Sequence, residues 1–360
     1  MRFRNDSHIP LILIVALLLG LATACRQQSA ASSIQSSIPA ASSLTRPSTK
    51  PAPTRTVAVA PATGDFADAV RAAARHGLGV WLESDLVKRW RQGTSSFNQA
   101  VAQLGSLAAI RGVVGIKIAD EMGYHDGLTT ASQIKSFLTA ASTALHRVAP
   151  GKQLLVDMIV PELGCLPNHQ PPLLWATECT VKSRGQYPQL STDSITSYLQ
   201  MHAISVLDLS TGLLSDGSYA GWGVDRDDAQ QAAWTAVRAL GWPSLVTLHA
   251  RKALAHPGNY PGTAAQAAAD VRTWVDLPLA GGAQSIDVWT WRQMYQGSVN
   301  RLLNPDLQSN ALWAALRARK AKGDVLFTHF SPHSLESSLN ADLGVMAQVF
   351  SDVFVAAGTG

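Results

Sequence analysis

Residues 115–127 read GIKIADEMGYHDG. Their opening alternates as a half-buried strand does, yet Lys117 sits mid-run and Asp120 and Glu121 close it. A charge on a buried strand is costly unless it is paired, so these side chains need a shared polar environment. Two carboxyl groups facing one space can divide acid and base roles between them, and a neighbouring cation can tune both.

Other short apolar runs end the same way. Pleat parity sends alternate residues to opposite faces of a strand. With Val114, Ile116 and Ile118 on one face, Lys117 and Glu121 share the other, and Asp120 has the parity to turn away. The same rule groups Trp81, Glu83 and Asp85; Asp157; Val206 and Asp208; Thr247, His249 and Arg251; and Asp287, Trp289 and Trp291. Each has a plainer alternative. Glu83 or Asp85 can cap the following segment. Lys117 and Asp157 can form a structural ion pair. His249 can be a hydrogen-bonded interior residue, and the two tryptophans can be filler. Tyr124, His125 and Asp126 follow Glu121 as loop residues able to touch a ligand.

The elements that must position these groups repeat. Strand-like runs at 56–60, 78–85, 113–121, 153–162, 203–212, 244–251, 285–293 and 324–330 each precede a longer helical stretch. Eight strand–helix units predict a single α/β domain over 57–360, a (β/α)8 TIM barrel, with its polar residues gathered at the strand C-terminal ends. An open doubly wound sheet is the alternative, but no Gly-rich dinucleotide fingerprint is present. Asp225 is placed to cap a helix, and Pro150-Gly151, Gly241 and Gly323 stand at helix ends.

The chain has 360 residues, 46% hydrophobic and 15% charged, with a formal net charge of +4 and no Lys/Arg-rich run. That is globular composition without a nucleic-acid footprint. Arg2 and Arg4, the apolar run from Ile9 and the small residues before Cys25 read as an export signal over 1–24. Ala22-Thr23-Ala24 before Cys25 resembles a bacterial lipobox, although Ala22 stands where that pattern prefers leucine. The resemblance implies lipidation of Cys25 and attachment to the outer face of the cytoplasmic membrane or the cell surface. Residues 25–56, rich in Ser, Ala and Pro, read as a tether. Cys165 and Cys179 then remain as an even pair, which in an oxidising compartment predicts one disulfide across a long loop. No C-x-x-C or H-E-x-x-H is present, and neither a metal nor a cofactor is expected.

Carboxylates on separate strands beside a rim of indoles suit glycoside hydrolysis. The segment VVGIKIADEMG (113–123) also resembles the strand end of TIM-barrel glycoside hydrolases and hydrolase-like proteins of the broad β-galactosidase/cellulase type. The glutamate after the aspartate is the general acid/base there, which implies that role for Glu121. IDVWTWRQ (286–293) is similar to their late strand ending in tryptophan at the sugar site, implying Trp289 or Trp291. One departure stands out: the late strands here carry no glutamate for a nucleophile. The second carboxylate would be Asp157, Glu162, Asp208 or Glu83, and strand position favours Asp208.

The resulting expectation is an exported, lipid-anchored glycoside hydrolase-like enzyme. Glu121 and Asp208 would be catalytic, and Glu83, Lys117, Tyr124, Asp157, His249, Arg251, Trp289 and Trp291 would bind a carbohydrate. The alternatives are a non-catalytic carbohydrate-binding lipoprotein on the same barrel and a solute-binding lipoprotein of a transporter.

Overall fold

The computed structural model describes residues 62–166 and 174–357. Within them eight parallel strands close into a barrel with helices between successive strands, a (β/α)8 TIM barrel. In chain order the strands are Gly79–Glu83, Val113–Ala119, Gln153–Ile159, Val206–Ser210, Thr247–Ala253, Ser285–Trp289, Leu326–Phe330 and Asp352–Ala356. Each pairs with the next, and the eighth returns to the first.

Seven of these runs match the expected ones. The expected first strand, 56–60, lies outside the described residues, as do the leader, Cys25 and the tether. The closing strand is instead Asp352–Ala356, which the sequence reading had placed inside a final helix. The alternation Val353-Phe354-Val355 suits a strand: Phe354 fills the barrel while its two neighbours pack outward against helices.

Parity divides the apolar residues into two layers. Val80, Leu82, Ile116, Ile118, Leu154, Val156, Leu207 and Leu248 pack outward under the helices. Trp81, Leu155, Val206, Phe327 and Phe354 form a separate cluster inside the barrel. Gly115 makes room for the Trp81 indole, because a Cβ there would lie 2.3 Å from the Trp81 Cζ3. Val114 is 39% exposed, at the point where the register against the first strand slips.

Local signals end and start the helices. Asp225 accepts from the Asp228 amide at 2.7 Å and caps Arg226–Ala239. Thr130 and Gln133 form a reciprocal capping box for Ala131–Val148. The Cys165–Cys179 disulfide is present, with Cα atoms 5.5 Å apart. The enclosed segment is not all loop, since a helix runs from Leu174 to Gln186.

A hairpin follows the sixth strand. Arg292–Tyr295 pairs antiparallel with Ser298–Arg301 across Gln296-Gly297. Both turn residues have positive φ, 49° and 77°, the backbone of a two-residue turn whose twist matches the strands.

Candidate active site

The C-terminal ends of the strands carry a layer of interlocked charges. Lys117, wholly buried on the second strand, donates to Glu83 at 3.0 Å and to Asp120 at 2.7 Å, and lies 3.8 Å from Asp157. Arg251, from the fifth strand, contacts Asp157 directly and lies 3.4 Å from both Asp120 and Glu121, with Asp287 at 3.8 Å. His329, from the seventh strand, meets Glu83 through Nδ1 at 3.0 Å and Asp287 through Nε2 at 2.8 Å. Three cations from three strands thus cross-link five carboxylates.

The electrostatics follow from burial and these partners. Burial alone would raise the Glu83 pKa, but His329 and Lys117 outweigh it and hold it at about 2. Burial would likewise neutralise His329, yet Asp287 and Glu83 raise it to about 9, so the ring is an imidazolium at neutral pH. Lys117 is also raised despite its burial, by Asp120, Glu83 and Asp157. At Asp157 burial prevails over Arg251 and Lys117 and lifts the pKa to about 8.

Asp208 is a different kind of group. It is wholly buried, neither carboxyl oxygen has a hydrogen-bond partner in the described residues, and no cation pairs with it. Burial raises its pKa well above the carboxylate range, and Asp287 and Asp157 add to the effect. Beside it in the strand register, His249 packs against the rings of Trp81 and Phe327. Burial lowers His249 to about 4, leaving it neutral.

Above this layer opens a cavity of about 380 Å³. Asp120, Glu121, Arg251, Lys252, Trp289, Gln293 and Tyr295 are among the residues that line it. The Trp289 and Tyr295 rings meet edge-on at 5.5 Å. A second cavity, about 410 Å³, lies on the other side of Gln293 and reaches Glu83 and His329.

Glu121 reaches the first cavity through an unusual backbone. Its φ is 46°, and its amide donates to Asp157 Oδ2 at 3.3 Å. Its side chain is 32% exposed, against 56% for Asp120. Asp120 does not turn away as parity implied. The second strand ends at Ala119, and its register against the third shifts between Lys117 and Ala119, so alternation stops short of Asp120.

The candidate residues separate accordingly. Glu83, Lys117, Glu121, Asp157, Arg251 and Trp289 come together at the mouth, while Asp208 and His249 lie in the interior beneath it. Trp291 is corrected: it is 2% exposed, donates its indole N–H to Asp342 at 2.9 Å and packs on Trp313. The sixth strand ends at Trp289, so inward parity does not extend to Trp291. Tyr124 packs on Tyr187 at 4.8 Å and lines neither mouth cavity. Asp85 accepts from the Lys88 amide as a helix cap. Glu162 is buried against Arg184 and the Thr192 amide and lines neither mouth cavity.

His329 was missed. The signal lies in the alternation of DVLFTHF, where Phe327 and His329 share the inward face. Lys252, Gln293 and Tyr295 carried no pattern of their own, because their place depends on the strand end and the hairpin.

No family model and no curated protein matches the sequence. Among solved structures the chain is similar to a putative phosphonomutase from Burkholderia cenocepacia, at 15% identity and a TM-score of 0.40 over 81% of this chain and 92% of that one. It is also similar to the carboxyl transferase domain of Rhizobium etli pyruvate carboxylase, at 12% identity and a TM-score of 0.44 over 81% of this chain and 42% of that one. A third is D-psicose 3-epimerase from Clostridium cellulolyticum, at 11% identity and a TM-score of 0.41 over 78% and 84%. At this level they speak to the barrel alone.

The expectation of a glycoside hydrolase is corrected. The carboxyl group expected to face Glu121 across an open cleft, Asp208, is sealed inside the barrel. What the chain shows is a (β/α)8 barrel whose mouth carries an ion-paired carboxylate at a cavity wall.

Proposed function

We propose that the mouth is the active centre of an enzyme that moves a proton with Glu121 on a small, hydroxyl-bearing molecule lying against Trp289. The supporting observation is the placement of Glu121. Its carboxylate is open to the cavity, its backbone is fixed by Asp157, and Arg251 holds its charge from behind. A cavity of this size suits one small molecule, and an indole wall suits the apolar face of a polyhydroxylated one.

The other charges position this group. Arg251 lies 3.4 Å from the Glu121 carboxyl group, while Lys117 and His329 keep Asp120, Glu83 and Asp287 ionised around it. Asp157 and Asp208, both raised by burial, keep the layer from accumulating negative charge.

The test is proton exchange. The protein is incubated in D2O with a panel of small hydroxylated carbonyl compounds and acids, and deuterium incorporation is followed by NMR. Wild type exchanges a C–H proton on at least one member, and Glu121→Gln is slower by roughly 100-fold or more. Equal rates in the two proteins would remove Glu121 from this role.

We place the protein outside the cytoplasm. The Cys165–Cys179 disulfide supports an oxidising compartment, and Cys25 is the proposed point of lipid attachment. Metabolic labelling with a fatty-acid analogue, lost in Cys25→Ala, tests the anchor.

A further inference from the structure

Lys252 is the one charged group lining the mouth cavity without an ion-pair partner among the described residues. It follows Arg251 on the fifth strand, and alternation sends the two in different directions. Arg251 points inward to the carboxylates. Lys252 also lines the cavity, and its ammonium lies 3.9 Å from the centroid of the Trp274 ring. Arg226 approaches the same indole at 5.5 Å, but Arg226 is already held by Asp270 at 3.1 Å and Asp216 at 3.5 Å.

The negative charges of the cavity are matched. Asp120 is bonded to Lys117 and lies beside Arg251, and Glu121 lies beside Arg251. Lys252 therefore lines the cavity with its ammonium against an aromatic ring, and no carboxylate among the described residues pairs with it directly, Asp216 and Asp270 acting on it only from further off. An indole face holds a cation in place without neutralising it, which leaves the ammonium free to bond an incoming anion.

We propose that Lys252 anchors an anionic group of the ligand, so that the molecule bound at this mouth is a small hydroxylated acid rather than a neutral polyol. This deepens the proton-transfer reading and rests on it. Its anion sits at Lys252, and its hydroxyl-bearing carbons extend past Trp289 toward Glu121. The ammonium donates charge-assisted hydrogen bonds to the anion, which are stronger than those between neutral groups. Burial lowers the Lys252 pKa, with Arg226 adding to the effect and Asp216 and Asp270 opposing it, and a bound anion would raise it.

Three probes of one carbon skeleton separate charge from shape: gluconate, sorbitol and glucamine. Calorimetric titration of the full chain at neutral pH and low salt should show gluconate binding roughly tenfold or more tighter than sorbitol, with glucamine weakest. Lys252→Met keeps an apolar stem on Trp274 and should bring gluconate down to the sorbitol level while sorbitol is unchanged. Lys252→Arg should retain the preference, and added salt should weaken gluconate alone.

Equal affinity for gluconate and sorbitol, a preference for glucamine, or a preference that survives Lys252→Met would each overturn the proposal, as would the absence of binding by all three. If Lys252→Met fails to fold, the wild-type ranking and the Lys252→Arg variant decide. The proton-exchange comparison of wild type with Glu121→Gln stands apart. Exchange with no gluconate preference sinks the anchor alone, and preference with no exchange sinks the enzyme reading alone.

Discussion

The imidazole of His329 is bonded through Nε2 to Asp287 at 2.8 Å and thereby ties the seventh strand to the sixth deep in the barrel mouth. Its Nδ1 reaches Glu83 on the first strand, so one ring clamps three strands. The arrangement requires both nitrogens to carry protons, which is why it depends on pH.

The His329 pKa rises from an ordinary 6.5 to about 9 on folding. A raised pKa stabilises the fold fully below the unfolded value and loses that contribution as pH climbs through the folded one. Stability should therefore fall by a few kcal/mol between about pH 7 and pH 9.5, and His329→Gln should flatten much of that slope. Glu83, held at about 2, acts oppositely: its contribution is present above its ordinary 4.5 and is lost as pH falls toward 2. Urea midpoints across pH and the NMR titration of the His329 ring check both. A ring that titrates near 6.5 would contradict the clamp.

Lys117→Met should destabilise the protein by about 3–5 kcal/mol, because it leaves buried carboxylates without their shared cation. Lys117 is wholly buried and serves Glu83, Asp120 and Asp157 together. Chemical denaturation provides the measurement. A loss below about 1 kcal/mol would mean that Arg251 and His329 carry the layer without it.

Asp208→Asn should cost about 1 kcal/mol or less, since burial favours the neutral acid there and the amide is nearly the same shape. Wild type should also show an infrared band of a protonated carboxyl group at neutral pH that the variant lacks. A large loss with no such band would mean that Asp208 is ionised.

Trp289 and Trp291 should part company on substitution. Trp291→Phe removes the hydrogen bond to Asp342 and leaves a buried acceptor short of a donor, costing about 1–3 kcal/mol with ligand affinity unchanged. Trp289→Ala should weaken ligand binding roughly tenfold with a smaller effect on the melting temperature, because its ring borders the cavity. Thermal unfolding and calorimetry on the two variants check this, and a reversal of the pattern would exchange their roles.

Much of this arrangement was legible in the chain. The period-two runs and their helical sequels carried seven of the barrel strands, and pleat parity placed Glu83, Lys117, Asp157 and Arg251 on one inward face. Parity failed where regular strand ended: at Asp120, past a register shift, and at Trp291, past the last paired residue of its strand. The closing strand was hidden because Val353-Phe354-Val355 follows a helix so closely that a short apolar run fits either periodicity.

The residues by themselves determined that a barrel would form and which side chains would look into it, because alternation along a strand is local backbone geometry. Only the tertiary structure decided which carboxyl groups are charged. That depends on distances between strands far apart in sequence: His329 keeps Asp287 ionised, while burial, with Asp287 and Asp157 nearby, raises the pKa of Asp208, which has no ion-pair partner among the described residues. Burial costs each carboxylate its water, and whether a partner replaces that water is settled only when the eight strands close.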